Sequence, residues 1–467
     1  MSKRPNLLFV FADQMRGMDM CCAGNRQVHT PNMDRLAGQG LRLTNAIATS
    51  PVCGPNRGIL FTASYPTTTA VMANDIPLPE DRVTLGSTAR AQGYQTGYIG
   101  KWHLDGMPRN KFTPPGPRRF GWDFWAAYNC SHDYFHPRYY RDDPKVIEPG
   151  GYEPTVQTDL AIEFLQQRAG APDPFCLVLS WGPPHDPYDQ VPSMYRDQYD
   201  PAKILLRPNV QPDSNNPLAK GLECRRVTAD YYAAITALDH ELGRLLDTLD
   251  KLGIADDTLV VFTSDHGDML WSHGLMKKQT PYEESILVPF IARFPGRIPA
   301  GEIRSLPMGT VDVAPTLAGW LGWTIPPQWE GHDLSTALFE DSDIESVFIA
   351  NHGCYDEAVI QHVAEWRGVR TRRYTYAETV GRRPWLLFDN QTDPFQLQNL
   401  VADDRHSVIQ ARLRTMLDQW LKRTGDPFLP TEDMMRHYGM LDLWKKREIE
   451  MHPPGSMVQP ATEFPPR

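Results

Sequence analysis

The chain has 467 residues, a formal net charge of −10, 41% hydrophobic residues and 22% charged residues. That length allows one large domain with a smaller one beside it, and it buries a full core without a disulfide framework or structural metal. An acidic balance with no basic tract excludes a nucleic-acid or anionic-membrane partner held by bulk charge, but it permits a small cationic pocket.

The cysteines number seven, with no Cys-x-x-Cys pair, which disfavours both a disulfide scaffold and a zinc ribbon. The first apolar run, Leu7 to Ala12, stops at Asp13 and is too short for a signal sequence or a membrane span. The expectation is a cytoplasmic protein with a buried first strand and no membrane partner.

In chain order, the predicted elements are a strand over Leu7–Ala12 and helices near Asn32–Gln39 and Thr84–Gln92. A strand over Gln95–Gly100 follows, then long loops across 106–154, where aromatics, Pro and Arg show no period. A helix over Thr155–Arg168 leads to a strand over Phe175–Trp181. In the helix predicted over Thr228–Leu252, Ile235, Leu238, Leu242, Leu245, Leu249 and Leu252 share one face. Strands over Leu259–Ser264 and Val288–Phe294 complete this part. Short apolar strands alternating with helices predict an α/β fold, a large mostly parallel sheet flanked by helices.

The pattern changes near residue 345. Val347–Ala350, Trp366–Thr371, Arg373–Ala377 and Pro384–Phe388 read as strands joined by short turns. A helix follows with Ile409, Leu413, Met416, Leu417, Trp420 and Leu421 on one side, giving a smaller C-terminal antiparallel sheet plus helix. The division is therefore 1–345, 346–450, and a Pro-rich tail over 451–467, extended over the body or over the partner subunit of a homo-oligomer.

Chemistry collects at strand ends. Asp13-Gln14 follows the first strand, and Lys101-Trp102-His103 follows Gln95–Gly100. His185 follows Phe175–Trp181, and Asp265-His266-Gly267-Asp268 follows Leu259–Ser264. Ligands of open α/β sheets bind beyond the carboxyl ends of the strands, so these groups converge on one edge. In Cys53-Gly54-Pro55-Asn56-Arg57-Gly58 the proline suits the first turn of a helix. That places Cys53 at a helix N-terminus, where an anion is favoured, with Arg57 in reach. The pair His132 and His136 has helical spacing for a metal but no third ligand nearby, so it reads as pocket lining.

Cys53-x-Pro55-x-Arg57 resembles the signature of the type I, formylglycine-dependent sulfatases of the alkaline-phosphatase-like superfamily. The segments Pro5-Asn6-Leu7-Leu8 through Asp13-Gln14, Gly93-Tyr94-Gln95-Thr96-Gly97-Tyr98-Ile99-Gly100-Lys101-Trp102-His103, Ser264-Asp265-His266-Gly267-Asp268 and Thr280-Pro281-Tyr282-Glu283-Glu284 are similar too. So are Trp385-Leu386-Leu387-Phe388-Asp389 and Asp393-Pro394, and the set runs in order along nearly the whole chain. One departure is Asn56, where most members carry Ser.

The resemblance implies a sulfatase (a sulfuric ester hydrolase, arylsulfatase-like) acting on an anionic sulfate ester. Cys53 would be oxidised to formylglycine by a formylglycine-generating enzyme, and its hydrate would supply the nucleophilic oxygen. Asp13, Gln14, Asp265 and the oxygen of modified Cys53 are hard donors suited to Ca²⁺, with Mg²⁺ or Mn²⁺ as alternatives. His266 is either a further ligand or a contact behind the ligands or with substrate. Arg57 and Lys101 would neutralise the sulfate oxygens. His185 or Lys278 would protonate the alcohol, with Lys277 the alternative to Lys278, and His103 would act as base when sulfate is eliminated. Two other readings stand beside this one: a phosphonate monoester or phosphodiester hydrolase on the same scaffold, and a non-catalytic binder of sulfated ligands if Cys53 is not modified.

Overall fold

The computed structural model of the protein describes residues 4–340 and 342–452. Its first ten strands are β1 (Asn6–Asp13), β2 (Leu41–Leu43), β3 (Ala46–Ile47), β4 (Gln95–Lys101), β5 (Phe124–Tyr128), β6 (Phe175–Pro184), β7 (Thr258–Ser264), β8 (Phe290–Arg293), β9 (Glu302–Arg304) and β10 (Met308–Gly309). Eight of them form one sheet in the order β5-β4-β6-β1-β7-β8-β2-β9, while β3 and β10 pair separately. β1 lies at the centre, parallel to both β6 and β7. Every residue of β1 is buried, and alternate side chains feed different cores. Leu8, Val10 and Ala12 join the cluster beneath the helix Cys224–Lys251. Leu7, Phe9 and Phe11 join the opposite cluster, with Trp102, Val261 and Leu317. A sheet covered on both faces explains why its central strands read as unbroken apolar runs.

Two readings of the sheet need correction. The predicted loops of 106–154 contain β5, which pairs with β4 and forms the sheet edge. Its sequence, Phe124-Trp125-Ala126-Ala127-Tyr128, is buried at four of five positions and so shows no alternation. The strand expected over Val288–Phe294 is the shorter β8, and it runs antiparallel to β7.

The second sheet is β11 (Ser346–Asn351), β12 (Trp366–Thr371), β13 (Tyr374–Thr379) and β14 (Arg383–Asp389), antiparallel throughout. One face packs Phe348, Val369, Tyr376 and Leu387 under Leu413, Leu417 and Leu421 of the helix Ser407–Thr424. The other face meets Ile47 and Ile286 of the large unit. Two further helices, Thr431–His437 and Leu441–Met451, were not anticipated. The tail expected from Met451 begins at the end of the second helix, and 453–467 lie outside the described residues. No helix among the described residues is long and apolar enough to cross a membrane.

Candidate active site

Cys53 opens the helix Cys53–Thr62, all of it buried. Pro55 stands in the first turn, where its missing N–H costs no helical bond. Asn74 Oδ1 accepts the otherwise unpaired N–H of Gly54 at 2.8 Å. Asn56 serves the site structurally: its amide donates to the carbonyl of Asp265, and its Oδ1 accepts from Ser50 N at 3.3 Å.

The strand ends converge as their positions require. Cys53 Sγ lies 3.6 Å from Asp13 Oδ1, 3.2 Å from His266 Nε2 and 3.9 Å from Lys101 Nζ. Asp13, Cys53, Asp265 and His266 offer ligand atoms that all lie within 4.8 Å of one another, and all four residues are buried. Arg57 ties the two carboxylates together, with Nη2 3.1 Å from Asp13 and Nε 3.0 Å from Asp265. Lys101 Nζ is 2.6 Å from Asp13. His266 Nδ1 lies 3.0 Å from the carbonyl of Gly267, which can only accept. Nδ1 therefore carries a proton, and Nε2 faces the cluster. Two hard carboxylates, an imidazole nitrogen and residue 53 form a donor set that fits a divalent cation.

The electrostatics follow from burial set against this charge. Burial raises the Asp13 carboxyl, but Lys101, His185 and Arg57 outweigh it and hold it well below the usual carboxylate range. Burial and the neighbouring Asp13 push Asp265 up. Burial opposes ionisation of the Cys53 thiol, yet Lys101, Lys278 and His266 bring it well below the ordinary value. An anion at position 53 is what this pocket favours.

Two histidines flank the cluster and differ in charge. His185 is pushed down to about 4 by burial and by the Lys278 ammonium. His103 rises to about 10 despite burial, because of Cys130 and its bond to Asp75. His103 Nε2 lies 3.2 Å from Asp75, which also takes two bonds from Arg109 at 2.8 and 2.7 Å. Lys278 Nζ is 2.7 Å from His185 Nε2 and 2.6 Å from Gln14 Oε1. Lys277, by contrast, is partly exposed and paired with Asp186 at 3.2 Å. His132 stacks on His185 with centroids 4.2 Å apart, while His136 is exposed and bonded to Asp133. The two do not form a metal pair.

The structure thus brings together Cys53, Arg57, Lys101, His103, His185, Lys278, Asp13, Gln14, Asp265 and His266. It adds Asp75 and Asp268, to which the sequence reading assigned no role. Asp268 was visible as an acid beside the Asp265-His266 pair, without a sign of its partners. Asp75 had no sequence signal, since it stands in a loop and meets His103 only in the fold.

Residues 5–323 match the family model described as Sulfatase. The chain belongs to the sulfatase family. It is a sulfuric ester hydrolase with the alkaline-phosphatase-like fold. Residues 271–423 also match the model of the N-sulphoglucosamine sulphohydrolase C-terminal region. An ulvan-active sulfatase of Formosa agariphila is 37% identical, with 93% of this sulfatase and 84% of the relative covered. An endo-4-O-sulfatase of Bacteroides thetaiotaomicron is 30% identical, over 91% of this chain and 94% of the relative. A solved structure in complex with its substrate D-glucosamine-2-N,6-O-disulfate superposes with a TM-score of 0.75 at 25% identity. It covers 91% of this chain and 99% of its own.

Proposed function

We propose that this sulfatase removes sulfate from a sulfated saccharide, using Cys53 oxidised to formylglycine and a divalent cation, with Ca²⁺ the preferred ion. The observation that carries the reading is the Cys53 side chain at a helix N-terminus, inside a buried set of two carboxylates and an imidazole. The saccharide is supported by the relatives, an ulvan-active and an endo-4-O-sulfatase, and by the sulfated glucosamine bound to the solved neighbour. Seven unpaired cysteines support a reducing compartment, the cytoplasm.

Asp13, Asp265, His266 and residue 53 would hold the cation, with Gln14 beside them. A cation held there would supply positive charge to offset that of the ester's non-bridging oxygens. The hydrated aldehyde at position 53 supplies the nucleophilic oxygen. Arg57 and Lys101, fixed by their bonds to Asp13 and Asp265, orient the sulfate for in-line attack. Lys278 and His185 together deliver a proton to the departing alcohol. His103, held by Asp75 through Nε2, has its buried Nδ1 without a hydrogen-bond partner. That nitrogen removes the proton from the remaining hydroxyl at residue 53 as sulfate leaves.

The test is peptide mass spectrometry of protein co-produced with a formylglycine-generating enzyme, joined to turnover of matched sugar sulfates, aryl sulfates and phosphonate esters. Aldehyde at position 53 and preference for the sugar sulfate are expected. Full activity with an unmodified thiol would overturn the nucleophile, and preference for the phosphonate would overturn the substrate class.

A further inference from the structure

Gln14 occupies a position at which an acid would be the simplest cation ligand, and its surroundings say why an amide stands there. Its backbone turns out of β1 with φ 70°, and its side chain is wholly buried. Nε2 donates to Asp268 Oδ2 at 2.6 Å, and Oε1 accepts from Lys278 Nζ at 2.6 Å. An amide makes this bridge because it carries a donor at one end and an acceptor at the other.

Asp268 has no freedom to do otherwise. Its Oδ2 also accepts from Tyr188 Oη at 2.8 Å. Its Oδ1 accepts from the backbone N–H groups of Leu270 and Lys277, at 3.0 and 3.1 Å. The carboxylate therefore pins both ends of the loop 269–277, which delivers Lys278, and it fixes which end of the Gln14 amide faces that lysine.

We propose that Asp268 is a positioning residue for the sulfatase reaction, acting through Gln14 to aim the Lys278 ammonium, and that Gln14 and Asp268 are a matched pair. A carboxylate at 14 would face the Asp268 carboxylate at hydrogen-bond distance in a buried site, where like charges are strongly unfavourable. An amide at 268 has one oxygen. Spent on Gln14, it leaves a donor facing the N–H groups of Leu270 and Lys277; spent on those, it leaves a donor facing Gln14. Made together, the two exchanges are compatible. The new amide oxygen keeps the two backbone N–H groups, and its NH₂ donates to the new carboxylate and to Tyr188 Oη, which can accept.

The inference rests on the proposed function only for the role of Lys278; the pairing itself is read without turnover. The variants are Gln14→Glu, Asp268→Asn and the double, each followed by thermal melting, Ca²⁺ titration by calorimetry, and kcat/KM on an aryl and an alkyl sulfate. Each single exchange is expected to lose about 10²-fold in kcat/KM, in line with a buried charged bond left unmade, and to melt below the parent. The double is expected to recover at least about tenfold over the worse single, to melt above both, and to bind Ca²⁺ at least as tightly as the parent.

Asp268→Asn should lose more on the alkyl than on the aryl ester, a split that a purely structural role would not give. A double variant no better than the worse single, in melting and in turnover, would overturn the pairing. If neither single folds, the double decides alone: folding supports the pair, failure refutes it. An inactive parent would refute the hydrolytic reading while melting and Ca²⁺ titration still judged the pair.

Discussion

Lys278 and His185 share a hydrogen bond, Nζ 2.7 Å from Nε2, in which the lysine holds the proton. His185 Nδ1 lies 2.8 Å from the Asp186 carbonyl and must donate to it, which leaves Nε2 as the acceptor. The charges agree. His185 is pushed down to about 4, whereas Lys278 rises despite burial because Cys53 and Glu357 face it. In the proposed function, a neutral imidazole beside a lysine that stays charged makes the pair, not His185 alone, the proton store for the leaving group.

Lys278→Ala should therefore hurt poor leaving groups most. General-acid assistance is worth about 10²–10⁴-fold, and an activated phenolate needs little of it. On alkyl or sugar sulfates the loss should approach that range, and on an activated aryl sulfate it should be much smaller. His185→Ala should show the same slope with a smaller loss. The measurement is kcat/KM across esters of falling leaving-group acidity; an equal loss on every ester would remove the pair from this role.

The carboxylates Asp13 and Asp265 come from separate strands and meet within one cluster. Chelation of the proposed ion should abolish turnover and lower the melting temperature, because two buried acids then face each other without the ion's charge. Asp13→Asn, which keeps the side-chain shape, should abolish turnover and make melting insensitive to added Ca²⁺. Elemental analysis should find a stoichiometric divalent ion in the parent. Full activity in protein free of divalent metal would contradict the proposal.

The strand-end groups were legible because β1, β4, β6 and β7 are bounded apolar runs, and a parallel sheet sends the residue after each run to the same edge. β5 escaped because a strand buried on both faces carries no alternation and sits among aromatic, Pro-rich loops. Asp75 escaped for another reason. It adopts φ 66° in a loop, and its tie to His103 is a long-range contact with no local pattern. The helix Leu441–Met451, whose Arg447 Nε reaches the carbonyl of Asn74, was equally invisible as a neighbour of the site.

Glu153, which is not among the proposed cation ligands, offers a pH test. Burial pushes its carboxyl up to about 8, although Tyr128 and Gly182 N donate to Oε1 at 3.0 and 3.1 Å. The folded chain therefore keeps a proton that the unfolded chain releases above about 4.3. Stability from this group is complete below that point and is lost as pH rises to about 8, at about 1.4 kcal/mol per unit. Glu153→Gln keeps the accepting oxygen and removes the titration. Urea unfolding at about pH 5 and about pH 8 should show the variant gaining on the parent as pH rises. Parallel pH curves would refute the buried, protonated carboxyl.

His103 carries the release step in the proposed function, and its bond to Asp75 sets when it can act. Burial opposes charge on the ring, but Cys130 and Asp75 raise it to about 10, so it rests protonated and must shed that proton to serve as base. Asp75→Asn removes the carboxylate, lowers the His103 value and should move the rising limb of the pH–rate profile to lower pH. It should also destabilise the fold, since Arg109 loses a buried carboxylate partner. His103→Ala leaves no base at all. Turnover should fall by about 10²–10⁴-fold whatever the leaving group, and sulfate should accumulate on the peptide containing residue 53. Mass spectrometry after mixing with an activated aryl sulfate reads the adduct, and a pH–rate series on Asp75→Asn reads the limb. An unshifted limb together with an adduct-free His103→Ala enzyme would assign the release step to another of the groups around Cys53, among which Lys101 Nζ lies 3.9 Å from Sγ.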